Sequence, residues 1–70
     1  MSARPVLRGS VTEFDDAAGL GTIVAEDGTA FPFQCTEIAD GTRTIAVGTA
    51  VSFAVLPKLG RWEAARIEQA

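Results

Sequence analysis

Aromatic rings and neighbouring cations are the groups in this sequence that could act on a ligand. Phe31 and Phe33 alternate in the run AFPFQ, and Trp62 follows Arg61 in the segment PKLGRW. An aromatic ring gives a nucleobase a face to stack on, and an adjacent lysine or arginine gives a phosphate a counter-charge. If the rings are exposed, this combination favours binding of single-stranded nucleic acid.

The composition argues against catalysis and against bound metal. The chain has no histidine and a single cysteine, Cys35, so neither a Cys/His zinc site nor a histidine-based catalytic centre can be assembled. The acidic pair Asp15-Asp16 lacks a partner constellation and is interpreted as a solvated turn in which Asp15 bonds its own backbone. We therefore expect a non-enzymatic protein with no cofactor and no metal.

The charge balance is acidic, with a formal net charge of −3. A strongly basic balance, the usual footprint of a nucleic-acid-binding domain, is absent. The charges are unevenly distributed: five of the nine acids lie within residues 13–27, and four of the six bases lie in the C-terminal half. The sequence has no long apolar run of the kind that predicts a signal peptide or a membrane span. The free thiol suits a reducing compartment. We therefore expect a cytoplasmic protein without a membrane partner.

The elements that must position these side chains are predicted to be strands, because apolar residues recur with a period of two. Asp27-Gly28 predicts a hairpin turn, and Pro32 predicts a bend or an unpaired edge in its strand. The C-terminal run could also be read as a helix, but seven residues make a marginal one. The predicted strands are Arg8–Phe14, Leu20–Ala25, Ala30–Gln34, Ala50–Leu56 and Trp62–Glu68. At 70 residues we expect one domain over 1–70, with a core at about 8–68 and a short tail at 1–6.

The ordered set of motifs resembles a bacterial cold-shock domain. GSVTEFD, a four-residue link and GLGTI are similar to the family pattern G-x-V-K-W-F-N followed by K-G-F-G-F-I. Phe31 matches the first aromatic of the second ribonucleoprotein motif, usually F-V-H-F, and the likeness extends from about Arg8 to Glu68. The resemblance implies a small five-stranded antiparallel β-barrel of the oligonucleotide-binding type, which holds single-stranded RNA or DNA on exposed aromatics and lysines.

Several positions depart from the family pattern, which implies weak and unspecific affinity. The positions of the family pattern that carry other residues here include most of its aromatics and lysines; they are Thr12, Glu13, Ala18, Leu20, Thr22, Pro32, Phe33, Gln34 and Thr42. The loop between the last two strands adds two cations and the only tryptophan, and Trp62 could stack a base or cap the barrel. We expect Phe31 and Phe33 to be exposed and Phe14 to be more core than platform. The predicted nucleic-acid-binding residues are Phe31, Phe33, Trp62, Arg61, Lys58, Leu20, Phe14 and Arg43.

A second hypothesis keeps the fold but changes the partner. Leu20, Phe31 and Phe33, with Glu13 and Thr22 around them, would form an apolar patch with few cations, which is also typical of a protein interface. The chain would then bind another protein or a second copy of itself. Binding to nucleic acid weakens as salt rises, whereas association through an apolar patch does not.

Overall fold

A computed structural model of the chain describes residues 6–70, and the predicted tail lies outside this range except for Val6. Five strands form one antiparallel sheet, as expected, and the C-terminal run is a strand. A single turn of 3₁₀ helix, Cys35–Glu37, follows the third strand. The strands are β1 Leu7–Asp15, β2 Leu20–Ala25, β3 Ala30–Gln34, β4 Ala50–Lys58 and β5 Arg61–Gln69.

The sheet has the strand order β3-β2-β1-β4-β5 and curls around its core. β3 and β5, the two ends of this order, contact each other. Next to them, Ile38 forms a parallel bridge to Ile67, and the Ala39 N–H donates to the Ile67 carbonyl at 2.8 Å. The segment after β3 therefore helps to connect the two sheet ends. Pro32 lies in β3, where a terminal position in the ladder tolerates the missing N–H.

Two bulges bend the sheet. The register between β1 and β2 shifts between Val11 and Glu13, and the register between β4 and β5 shifts between Ser52 and Ala54. Opposite the second shift, Arg66 takes a left-handed conformation with φ 52°. Bulges of this kind increase the local twist, which a small curled sheet needs to bring its ends together.

All four phenylalanines lie in the core or pack against it. Phe14 stacks on Phe33 with ring centroids 5.9 Å apart, and Phe31 lies 5.7 Å from Phe53. Phe14 and Phe31 are half-buried and pack against the core, as predicted for Phe14. The largest fully buried side chains are Phe33, Phe53, Ile23, Ile67, Val11 and Val51.

The predicted exposure of Phe33 is wrong, and the sheet register explains why. Phe33 is 1% exposed and lies opposite Gly21, while Phe31 lies opposite Ile23. Since neighbouring residues of a strand point to opposite faces, this register turns both rings toward the core and turns Pro32 and Gln34 outward. Gly21 makes the room: a Cβ at this position would stand 2.5 Å from the Phe33 ring.

The two hairpin turns differ in how well their residues suit them. After β2, the Ala25 N–H donates to the Thr29 carbonyl and Gly28 takes φ 92°, which confirms the turn predicted at Asp27-Gly28. Between β4 and β5, Leu59 and Gly60 have φ values of 47° and 84°. Two positive φ values define a type I′ turn, for which asparagine and glycine are suited and leucine is not. Leu59 is also fully exposed.

Leu59→Asn is therefore expected to stabilise the fold. Asparagine tolerates the left-handed region, so relief of strain should raise the free energy of unfolding by about 1 kcal/mol. Urea denaturation followed by circular dichroism measures the change. Leu59→Ala is the matched control because it removes the same apolar surface but keeps the strained backbone. If the two variants are equally stable, the turn is not strained at this position.

Candidate nucleic-acid interface

With Phe31 and Phe33 turned inward, the outer face of the β1–β3 sheet carries no aromatic ring among residues 6–70. We call this surface the outer face; its centre consists of Glu13, Leu20, Thr22, Pro32 and Gln34. Leu20 is 53% exposed. The Thr22 hydroxyl donates to Glu13 Oε1 at 3.4 Å. A carboxylate here repels phosphate, and no ring offers a base a stacking partner.

A shallow, open cavity of about 350 Å³ lies at the border of the outer face, near the end of β1 and the start of β2. Asp15 stands at its edge and accepts the N–H groups of Ala17 and Ala18 on Oδ1, at 3.0 and 3.2 Å, as predicted for this turn. The cavity is therefore apolar at Leu20 and acidic around it. Its lining residues are Glu13, Phe14, Asp15, Leu20, Gly21 and Thr22.

The exposed aromatic of the described chain is on the opposite hairpin. We call residues Lys58–Trp62 the hairpin tip. Trp62 is 59% exposed, lies opposite Pro57 and takes part in neither of the two aromatic pairs. The structure therefore does not join Trp62 to Phe31 and Phe33 in one stacking surface. Arg61, the preceding residue of β5, has a side chain that is 70% exposed.

Both cations of the hairpin tip have acidic partners, to different degrees. Lys58 Nζ lies 3.3 Å from Glu37 Oε2, and the other oxygen of Glu37 accepts the Arg66 backbone N–H at 3.3 Å. Glu37 thus satisfies the N–H of the β5 bulge and neutralises Lys58. Arg61 contacts Glu63 Oε2 through Nε at 3.5 Å. Because Nε alone makes this contact, the outer nitrogens of Arg61 are the better donors for a phosphate.

Glu63 is the buried carboxylate of the site. Its side chain is 9% exposed, and Oε1 has no hydrogen-bond partner within the described part of the chain. Burial of an incompletely paired acid is costly, so the contact from Arg61 is the main compensation. Residues 61 and 63 share a strand face by period two, a signal that could have identified this pair in the sequence. The contact between Glu37 and Lys58 has no comparable signal in the sequence, because only the folded chain brings the two residues together.

Arg43 belongs to a separate loop that is tied to the β1–β2 turn. The Thr44 hydroxyl donates to Asp16 Oδ1 at 2.9 Å. The backbone N–H and the hydroxyl of Thr42 donate to Asp40, which lowers the pKa of that carboxyl from its usual value. Arg43 itself is exposed and takes φ 60°. Of the eight predicted residues, the hairpin tip unites Trp62, Arg61 and Lys58, whereas Leu20 lies on the outer face.

Metal-ligand clusters and membrane-spanning helices are two other features with functional meaning. Within residues 6–70, no cluster of three or more metal-ligating side chains occurs. No helix in that range has the length and apolar character needed to cross a lipid bilayer.

The five antiparallel strands have the fold of a cold-shock domain, a class of typically non-catalytic binding modules that commonly bind nucleic acid. The structure matches 26 solved chains. One is the Drosophila Unr chain described as CSD456, with a TM-score of 0.82 and 25% sequence identity. The match covers 97% of this chain but only 28% of the Unr chain. No model of a protein family and no curated protein matches the sequence.

Proposed function

We propose that this domain binds single-stranded nucleic acid weakly, with little sequence preference, through the hairpin tip. The observation that carries the proposal is the exposure of both Trp62 and the adjacent Arg61, while all four phenylalanines pack in or against the core. Trp62 would stack on one base, and Arg61 would contact a neighbouring phosphate. The common ligand of the cold-shock fold supports this assignment. Phe31 and Phe33 have no role in it, since their rings are turned inward.

The affinity should be low because the site is small and the surroundings are acidic. One stacked base contributes about 1–3 kcal/mol. Lys58 contributes less than its charge suggests, since Glu37 lies 3.3 Å away. The outer face adds Glu13 and Asp15 but no cation at its centre. The nucleic acid would therefore be held at one or two nucleotides rather than along the sheet.

Trp62→Ala is expected to weaken binding of a short oligothymidine by about 5- to 150-fold, the equivalent of one stacking interaction. Backbone amide shifts measure both proteins on the same scale, because the substitution removes the tryptophan fluorescence. Trp62→Phe should retain part of the affinity. Val47→Ala is the matched control, since Val47 is another exposed apolar residue outside the hairpin tip.

The salt dependence tests the phosphate contacts separately. For one or two phosphates, raising salt from 50 to 200 mM should weaken binding about three- to sevenfold. Amide shifts should centre on residues 58–62. The proposal fails if millimolar oligothymidine shifts no amides, or if the shifts centre on β2 and β3 and persist in Trp62→Ala.

A further inference from the structure

We propose that copies of this domain associate head to tail, with the hairpin tip of one copy seated in the outer-face cavity of the next. The interface joins residues 58–62 of one molecule to the surface around Leu20 of another. This self-association is a property beyond nucleic-acid binding. Three features of the molecule support it: an apolar protrusion, an apolar depression and opposite charges around them.

The protrusion is the turn at Leu59. Its side chain is fully exposed at a φ of 47°, a backbone conformation that leucine adopts only at a cost. Trp62, 59% exposed, adds a large apolar ring a few residues away. An apolar side chain held in a strained, fully exposed turn contributes nothing to its own fold. Strain of this kind suggests a role in an intermolecular contact.

The depression is the cavity beside Leu20. An apolar cavity of about 150 Å³ can hold a benzene molecule, so the 350 Å³ here is room for a leucine side chain. Leu20 is 53% exposed at this place. The receiving surface thus has the size and the apolar contact that Leu59 requires.

The charges around the two surfaces are complementary. Arg61 and Lys58 flank the turn, and Glu13 and Asp15 line the cavity. Neither of these two carboxylates forms an ion pair with a residue of the 6–70 segment. The outer nitrogens of Arg61 are likewise outside its contact with Glu63, which uses Nε. Docking would therefore bring Arg61 to carboxylates that have no basic partner within the described part of their own molecule.

The geometry fixes the kind of assembly. The protrusion belongs to β4–β5 and the depression to β1–β2, so one molecule can use both at once. Such a head-to-tail interface is heterologous, and it generates open chains, or rings where the rotation between copies closes. A turn and a shallow cavity bury less surface than the roughly 1,200 Å² of a stable complex. The association is consequently weak and becomes visible at high protein concentration.

Two variants that each disable one surface provide the test. Leu59→Asn removes the apolar protrusion and suits the turn, and Leu20→Lys removes the apolar contact and repels Arg61. Both positions are exposed, so the fold is retained, which circular dichroism checks. Sedimentation equilibrium from about 20 µM to 1 mM measures the mass. Wild type is expected to grow in average mass with concentration, and each variant alone should stay monomeric.

The mixture of the two variants gives the decisive result. Leu20→Lys keeps an intact tip and Leu59→Asn keeps an intact cavity, so an equimolar mixture should form dimers and nothing larger. Val47→Asn, which changes another exposed apolar residue, should associate like wild type. A monomeric wild type at 1 mM overturns the proposal. Association that survives Leu20→Lys, or variants that fail to complement each other, also overturns it.

The test separates this interface from nucleic-acid binding. Oligothymidine and the neighbouring copy would both bind the hairpin tip, so saturating oligothymidine should dissociate the assembly. Leu20→Lys, in contrast, should abolish association and leave oligothymidine binding no weaker. If oligothymidine binds to the tip without changing the mass, the head-to-tail interface is overturned while the binding site stands.

Discussion

Phe33→Ala is expected to lower the free energy of unfolding by about 3–5 kcal/mol, the usual cost of removing a large buried ring. Phe33 is 1% exposed, stacks on Phe14 and fills the space that Gly21 leaves open. Since small domains have only about 5–15 kcal/mol of stability in total, the variant should be largely unfolded in mild urea. Equilibrium denaturation followed by circular dichroism measures the loss.

Gln34→Ala is the matched control, because the adjacent residue of β3 is exposed. It should change the stability by less than about 0.5 kcal/mol. The pair of variants thus tests the register of β3 directly. If Phe33→Ala were as stable as Gln34→Ala and oligothymidine binding were lost instead, Phe33 would be a surface ring and the inward register would be wrong.

Gly9→Ala is expected to destabilise the fold by about 2–3 kcal/mol or more through a backbone clash. A Cβ at this position would stand 2.2 Å from the Val24 carbonyl oxygen and 2.9 Å from the Ala25 Cα. Relief requires β1 and β2 to separate where Gly9 pairs with Ala25. Thermal unfolding measures the effect as a lower midpoint temperature.

A second glycine separates steric clash from backbone strain. Gly41 takes φ 77°, and a Cβ added there would meet open space, with no atom within 4 Å. Gly41→Ala should therefore cost only the left-handed backbone term, about 1–2 kcal/mol. If Gly9→Ala were the milder of the two substitutions, close approach of β1 to β2 would not be the reason for glycine at position 9.

The strands and turns could be predicted because their signals are local. Alternation located all five strands, and Asp27-Gly28 located the β2–β3 turn. The exposure of Phe33 could not be predicted from alternation, since a period of two groups Phe31 with Phe33 without showing which face is buried. The family pattern then suggested an outward register. The informative residue was Gly21, but its partner across the ladder becomes known only when the strands are paired.

The candidate site was predictable to the extent that it lies in one hairpin. Lys58, Arg61 and Trp62 are close in sequence, and the turn at Gly60 keeps them close in space. The ion pairs of the site were harder to predict from the sequence. Glu37 reaches Lys58 because the 3₁₀ turn after β3 lies beside β5, a contact that depends on the whole fold. The sequence pattern therefore predicted Lys58 as a free cation, although Glu37 of the same chain partly neutralises it.

The strand order has a consequence for folding kinetics. β1 is the middle strand, yet Ser10 lies opposite Ala50, forty positions later. The β2–β3 and β4–β5 hairpins can each form within about 1–10 µs, whereas such non-local strand pairing typically takes milliseconds to seconds. The slow step should be the meeting of β1 and β4, which closes the long intervening segment into a loop. The hydroxyl of Thr44 on Asp16 and the Gly48 N–H on the Val11 carbonyl then hold the closed loop against β1.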